Sequence, residues 1–200
     1  MQTSDENVLL FSGGLDSTAL AVSLRPAQTL TINYGQLTAQ GEIRAAAAIS
    51  GRLGIEHHVI NADCASIGSG LLSGRDADSA APVEEWWPFR NQLLLTLGAA
   101  WALPRGIREL VVGSVSTDSA HADGREDFFK AMDEVISLQE GGLRVRAPAL
   151  PHTTADLMRQ ARVPDGIVGF THSCHVAEFA CGLCPGCIKR AEVLEELGRA

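Results

Sequence analysis

Apolar positions along the chain fall into two alternating spacings, short unbroken runs and longer stretches with a helical repeat. Residues 7–11 predict a buried strand, 18–24 a helix and 29–34 a second strand. Across residues 36–53, Ile43, Ala46, Ile49 and Leu53 share one helical face, and Gly54 follows as a C-terminal stop. "EHHVI" at 56–60 predicts a third strand, and the Gly-, Ser-, Asp- and Ala-rich residues 62–85 a long surface connection. A helix apolar nearly all round follows at 91–102, then a fourth strand at 108–114. Phe128, Met132, Val135 and Ile136 mark another helical stripe, and 143–150 a fifth strand. Strands alternating with helices are βαβ units, so the predicted class is α/β, a parallel sheet covered on both faces.

Composition narrows the partners. The 200 residues suffice for one domain with a small appendage, and the net charge of -8 disfavours a phosphate-coating surface for nucleic acid. A small anionic ligand held by local dipoles remains compatible with that charge. The first ten residues, "MQTSDENVLL", carry no basic segment followed by an apolar run, and no stretch approaches the roughly 20 apolar residues of a membrane span. The expectation is a cytoplasmic protein with no membrane contact.

"LLFSGGLDST" (9–18) supplies the candidate chemistry. Ligands of an open parallel sheet collect where strand order reverses, at the carboxyl ends of the strands. Gly13 and Gly14 permit a tight turn and close approach, so that successive N–H groups can form an anion nest at the next helix N-terminus. Ser12, Ser17 and Thr18 add hydroxyls. Asp16 repels a phosphate unless it caps the helix or binds Mg²⁺, and those are its two expected roles. A turn shaped by glycines for geometry alone is the plainer alternative. Neither a Walker loop nor a dinucleotide fingerprint is present.

Four of the five cysteines, Cys174, Cys181, Cys184 and Cys187, lie within fourteen residues, while Cys64 stands alone as an ordinary buried thiol. Thiolates at these intervals, with turns at Gly182, Pro185 and Gly186, can reach one tetrahedral Zn²⁺ and would form a closed structural site. His172 and His175 are substitute ligands, and an iron–sulfur cluster is the rival metal group, though the further Cys-Pro of ferredoxins is missing.

"SGGLDS" at 12–17 resembles the loop of the N-type ATP pyrophosphatases, the PP-loop proteins. That resemblance implies that Ser12, Gly13, Gly14, Leu15, Asp16, Ser17 and Thr18 hold the pyrophosphate end of ATP while a substrate oxygen attacks the α-phosphorus. Together with the cysteine cluster, "NYGQ" (33–36), "WWPFRN" (86–91) and the loop "GSVSTDSAHADGRED" (113–127), it is similar to the 7-cyano-7-deazaguanine synthase family over nearly the whole chain. The resemblance implies a Rossmann-like doubly wound sheet over 1–165 with a zinc segment at 166–200 packed on it. It implies an ATP-dependent ligase that adenylylates 7-carboxy-7-deazaguanine, amidates it with ammonia, and proceeds towards the nitrile, as a homodimer using ATP, Mg²⁺ and Zn²⁺. Asp16, Ser17 and Arg90 would serve catalysis. Asp118 or Asp123 could accept the paired donors of a guanine-like edge. Arg90 and Arg125 could hold a carboxylate or phosphates by their fork geometry, and Asn91 could join them or cap its helix. Trp86, Trp87 and Phe89 read as packing rather than as a ring-stacking platform, and Gln36 and Glu42 as a solvated helix face.

Some positions depart from that family. Asn33 and Leu37 replace an Asp and an Arg, residues 122–125 lack a Pro and a Cys, and Thr154 stands where a lysine usually follows Thr or Ser. His152, Arg146 and Arg159 are the candidate replacements for that cation. The altered positions surround the acceptor side and leave "SGGLDS" intact. Delivery of the activated deazaguanine to another amine, such as a protein N-terminus, is therefore one alternative outcome. A nucleotide-binding scaffold without turnover is another, and a tRNA-thiolating relative is disfavoured by the acidic charge.

Overall fold

The computed structural model describes residues 6–199; positions 1–5, part of the stretch read above as lacking a leader, lie outside the described residues. Five parallel strands form one sheet in the order β3-β2-β1-β4-β5. They are β1 (Asn7–Leu10), β2 (Gln28–Asn33), β3 (Glu56–Asn61), β4 (Glu109–Val111) and β5 (Arg144–Arg146). Strand order reverses between β1 and β4, which pair in register Val8 to Leu110 and Leu9 to Val111.

Side chains alternate across the pleat, so neighbours in one strand feed different cores. Val8 and Leu110 point into a cluster with Leu95 of α3 (Arg90–Ala102) and Phe129, Met132 and Ile136 of α4 (Glu126–Ser137). Leu9 and Val111 point the other way, into a cluster with Ala19 and Leu20 of α1 (Leu15–Leu24), Ala46 and Ile49 of α2 (Ala39–Leu53) and Met158 of α5 (Thr154–Ala161). The same cluster takes Val168 of α6 (Asp165–Val168) and Val193 and Leu194 of α7 (Pro185–Glu196), so the cysteine-bearing segment shares a core with the sheet. This is the doubly wound α/β arrangement, helices on both faces of a parallel sheet.

Several boundaries differ from the pattern-based expectation. Helix α1 begins at Leu15, three residues early, because the glycine turn leads straight into it. Helix α2 begins at Ala39, and Gln36 instead folds into the preceding turn, where its side chain accepts from Tyr34 N–H at 2.9 Å and donates to Ile32 C=O at 3.2 Å. Gly54 does end α2, at φ 68. Strands β4 and β5 keep only three residues each, since their flanks turn away into the loops that carry the site. Val135 is exposed at 56%, while Phe129, one position from the expected stripe, is buried in its place. The 62–85 connection is anchored by two 3-10 turns, Ala65–Ile67 and Leu71–Ser73, and by buried Leu72. Cys64 is half-buried against the α3 and α4 side of the sheet. Among the described residues no helix is long and apolar enough to cross a membrane.

Candidate active site and cysteine cluster

The turn after β1 is shaped by two glycines with different duties. Gly13 takes φ +73, and a Cβ there would stand 2.6 Å from Ala45 Cβ and 2.8 Å from Ala46 N, so only glycine lets α2 approach. Gly14 is the N-cap of α1 in extended conformation, and no side chain caps this helix end. The first N–H groups of a helix have no intrahelical acceptor, so Leu15, Asp16 and Ser17 present theirs, with the positive end of the helix dipole behind them. Ser12 Oγ accepts from Gly14 N–H at 3.3 Å, and Ser17 Oγ donates to Gly14 C=O at 3.3 Å. Thr18 is fully buried, and its hydroxyl has no hydrogen-bond partner among the described residues.

This helix end opens onto a cavity of about 500 Å³ at the point where strand order reverses. Ser12, Gly14, Leu15, Asp16 and Ser17 line it, whereas Gly13 and Thr18 support the turn from behind. Asp16 is no helix cap; it sits in the first turn of α1, with Oδ1 buried and unpartnered. Burial raises its carboxyl to about 6, against the lowering effects of the Lys189 ammonium and the Thr154 hydroxyl, while Asp118 adds to the rise. Asp118 has both oxygens engaged. Oδ2 accepts from Val115 N–H at 3.1 Å, and Oδ1 from Lys189 Nζ at 3.2 Å.

The replacements expected for a lysine at 154 lie elsewhere. Arg146 forks onto Glu109 at 3.0 Å, Arg159 bridges Asp156 and Glu196, and His152 approaches Gln160 at 3.3 Å; none lines the cavity. Thr154 itself is buried in the cavity wall, its hydroxyl beside the Asp16 carboxyl. The cations that line the cavity come from α3 and α7: Arg90, Lys189 and Arg190.

Arg90 and Asn91 open helix α3 on the opposite wall. Arg90 lies beside the buried Tyr34 hydroxyl and the Glu42 carboxylate. Burial pushes both Tyr34 and Glu42 upward, and Glu42 is held by Gln36 Nε2 at 3.2 Å and Thr38 Oγ1 at 2.5 Å. Gln36 is therefore buried and Glu42 lines the cavity, neither on the solvated face expected of them. Asp123 is drawn away from the cavity: its Oδ2 accepts from Asn91 N–H at 3.0 Å and its carbonyl from Asn91 Nδ2 at 2.8 Å. Asp123 thus satisfies the α3 N-terminus, whose own N-cap, Phe89, is left-handed at φ 55. Arg125 lies outside the cavity lining, beside a smaller concave surface with Ser116 and Ala147. Trp87 is packing as expected, 1% exposed and edge-on to Tyr34 at 4.9 Å, whereas Phe89 is exposed. Lys189 went unnoticed in the sequence; it is separated from the loop by most of the chain, and its only local mark is a place two residues past Cys187.

The sulfurs of Cys174, Cys181, Cys184 and Cys187 all lie within 4.8 Å of one another, two pairs at 3.9 Å. A tetrahedral zinc with bonds of about 2.3 Å needs sulfurs about 3.8 Å apart, so the four thiols fit that ion with little movement. N–H groups of Leu183 and Cys184 point at Cys181 Sγ at 3.4 Å and lower its thiol to about 6, whereas burial pushes the Cys187 thiol up. All five cysteines are free thiols. Cys184 is the N-cap of α7 and Cys187 sits in its first turn, so the cluster sets where this helix starts.

A helix end at a sheet's switch point, a buried carboxylate and a four-cysteine cluster on one core define a doubly wound α/β protein with a metal-compatible appendage. The sequence profile of the family described as "Queuosine biosynthesis protein QueC" matches residues 6–198, and the chain belongs to that family. It is 33% identical to a 7-cyano-7-deazaguanine synthase of Chlorobium phaeovibrioides, over 96% of this chain and 92% of that one. A synthase of the same description from Laribacter hongkongensis is 32% identical, over 99% and 93% of the two chains. The fold is also shared, at a TM-score of 0.51 and 15% identity over 97% and 90% of the chains, with the crystal structure of a predicted subunit of tRNA methyltransferase from Methanocaldococcus jannaschii.

Proposed function

We propose that the protein is an ATP-dependent carbon–nitrogen ligase that adenylylates the carboxylate of 7-carboxy-7-deazaguanine, releases pyrophosphate, and amidates the product with ammonia towards 7-cyano-7-deazaguanine. The observation that carries this is the uncapped α1 N-terminus facing the cavity in a chain whose relatives bear that synthase name. The N–H groups of residues 15–17 and the Ser12 and Ser17 hydroxyls cradle the leaving pyrophosphate. The buried Asp16 carboxylate and the Thr154 hydroxyl beside it suit the Mg²⁺ that accompanies ATP, which supplies neutralisation of phosphate charge. Arg90 holds the substrate carboxylate from the opposite wall, with its guanidinium set by Tyr34 and Glu42.

The carboxylate oxygen attacks the α-phosphorus as the bond to pyrophosphate breaks, and ammonia then displaces AMP to give the amide. A second adenylylation, of the amide oxygen, permits loss of AMP and a proton to give the nitrile. Asn91, Asp118 and Asp123 keep supporting places in this scheme, Asp123 by holding the helix end that bears Arg90 and Asn91. Zinc on the four cysteines is structural, the reaction is cytoplasmic, and the active form is a homodimer.

Incubation with MgATP, 7-carboxy-7-deazaguanine and ammonia, with pyrophosphate and product mass measured, should yield pyrophosphate and the amide or nitrile. A deazaguanine acyl mass gained by an added amine protein, with no ammonia product, would assign the conjugating reaction instead. Nucleotide binding without pyrophosphate under any condition would leave a scaffold.

A further inference from the structure

Two carboxylates, Asp16 and Asp118, face the same mouth of the cavity, and a triphosphate entering there meets both. The residue that answers them is Lys189. Its Nζ lies 3.2 Å from Asp118 Oδ1 and 3.2 Å from Thr117 Oγ1, and it is the main charge holding the Asp16 carboxyl down. The neighbouring cations are committed differently. Arg190 donates to Thr171 Oγ1 at 3.2 Å and Val168 C=O at 3.1 Å, and Arg90 stands by Tyr34 and Glu42. Helix α5 brings only Thr154 to the wall, so it delivers no charge.

We infer that Lys189 is the phosphate-contacting cation of this site, carried to the glycine turn by the cysteine-capped helix α7. An ammonium has three donors, and two of Lys189's are spent on Thr117 and Asp118. The third is free to reach a phosphate oxygen without breaking the ion pair. Asp118 therefore acts as the post that aims the ammonium, which explains why a carboxylate stands beside an anion site. Because Cys184 caps α7 and Cys187 lies in its first turn, Lys189 follows in the next turn, two residues past Cys187, so the cluster fixes the position of the charge.

This inference rests on the ATP reading above, and one set of binding measurements separates the two. Calorimetric titration of the wild-type chain with MgATP is compared with Lys189→Met, Lys189→Arg, Lys189→Met/Asp118→Asn and Thr154→Lys/Lys189→Met, each with its melting temperature. Lys189→Met should weaken MgATP binding about tenfold or more, the order of one lost charge-assisted contact, with an unchanged melting temperature. Lys189→Arg should stay within about threefold of wild type, and the relocated ammonium of Thr154→Lys should recover part of the loss. Wild-type binding with Lys189→Met within about twofold of it overturns the inference alone. Full recovery by Asp118→Asn in the Lys189→Met background also overturns it, since Lys189 would then only mask Asp118. A wild type that binds no nucleotide sinks the ATP reading, and this inference with it.

Discussion

Asp16 stands in the first turn of α1 with its carboxyl buried at the cavity, and that burial is a cost to the free protein. Its carboxyl moves from 3.8 to about 6, chiefly through burial. A carboxyl raised on folding contributes its stability fully below the unfolded value and loses it as pH rises through the folded one. From the shift, the ionised form costs about 3 kcal/mol above pH 6. Asp16→Asn should therefore melt higher than wild type at pH 8 and close to it at pH 4, while pyrophosphate release is lost. A melting difference that is the same at both pH values would contradict burial as the cause. The neighbouring residues show why such roles are hard to find in sequence. Glu42 sits in a stretch that mixes Gln, Gly and Arg like any solvated helix face, yet it is enclosed because Gln36 and Thr38 fold over it. Asp123 reaches Asn91 across 32 residues, a contact no local spacing announces.

At the level of elements, the site exists because β1, α1 and α2 meet at a single atom-sized gap under Gly13. Alanine there would combine a left-handed backbone with a Cβ 2.6 Å from Ala45 Cβ. Gly13→Ala should lower stability by about 2 kcal/mol or more, read by chemical denaturation, and should weaken nucleotide binding as the turn shifts. Loss of binding at full stability would show that the turn yields without moving α2. The strand-turn-helix order around this glycine was legible, since the apolar run, the paired glycines and the Asp-Ser-Thr triplet at 16–18 are all local. So were α2, ended by Gly54, and α4, whose stripe was shifted by one residue at Phe129. Strands β4 and β5 were overextended because Val112 and Ala147–Leu150 remain apolar while packing outside the ladder. Apolarity records burial, and only backbone pairing distinguishes a strand from a loop packed beneath it.

Across the whole molecule, the cysteine cluster and the glycine turn are far apart in sequence and joined through one helix. The cluster's spacing was readable from the start, but not that α7 would return along the cavity and bring Lys189 to Asp118. Four thiols can be held this close together as thiolates only if a metal offsets their repulsion, so metal binding and folding of this segment should be one event. Val193 and Leu194 then tie α7 into the core that also holds α1. Cys184→Ser removes both a sulfur ligand and the residue that starts α7, and should free the 166–200 segment while leaving the sheet folded. The expected results are loss of zinc by elemental analysis, a lower melting temperature, protease cleavage within that segment, and MgATP binding weakened at least as far as in Lys189→Met. An unchanged melting temperature would contradict a structural role for the cluster, and iron in place of zinc in the wild-type protein would overturn the choice of metal. Loss of zinc with MgATP affinity intact would show that α7 is held by Val193 and Leu194 alone, so that the cluster steadies the segment without setting the charge at the turn.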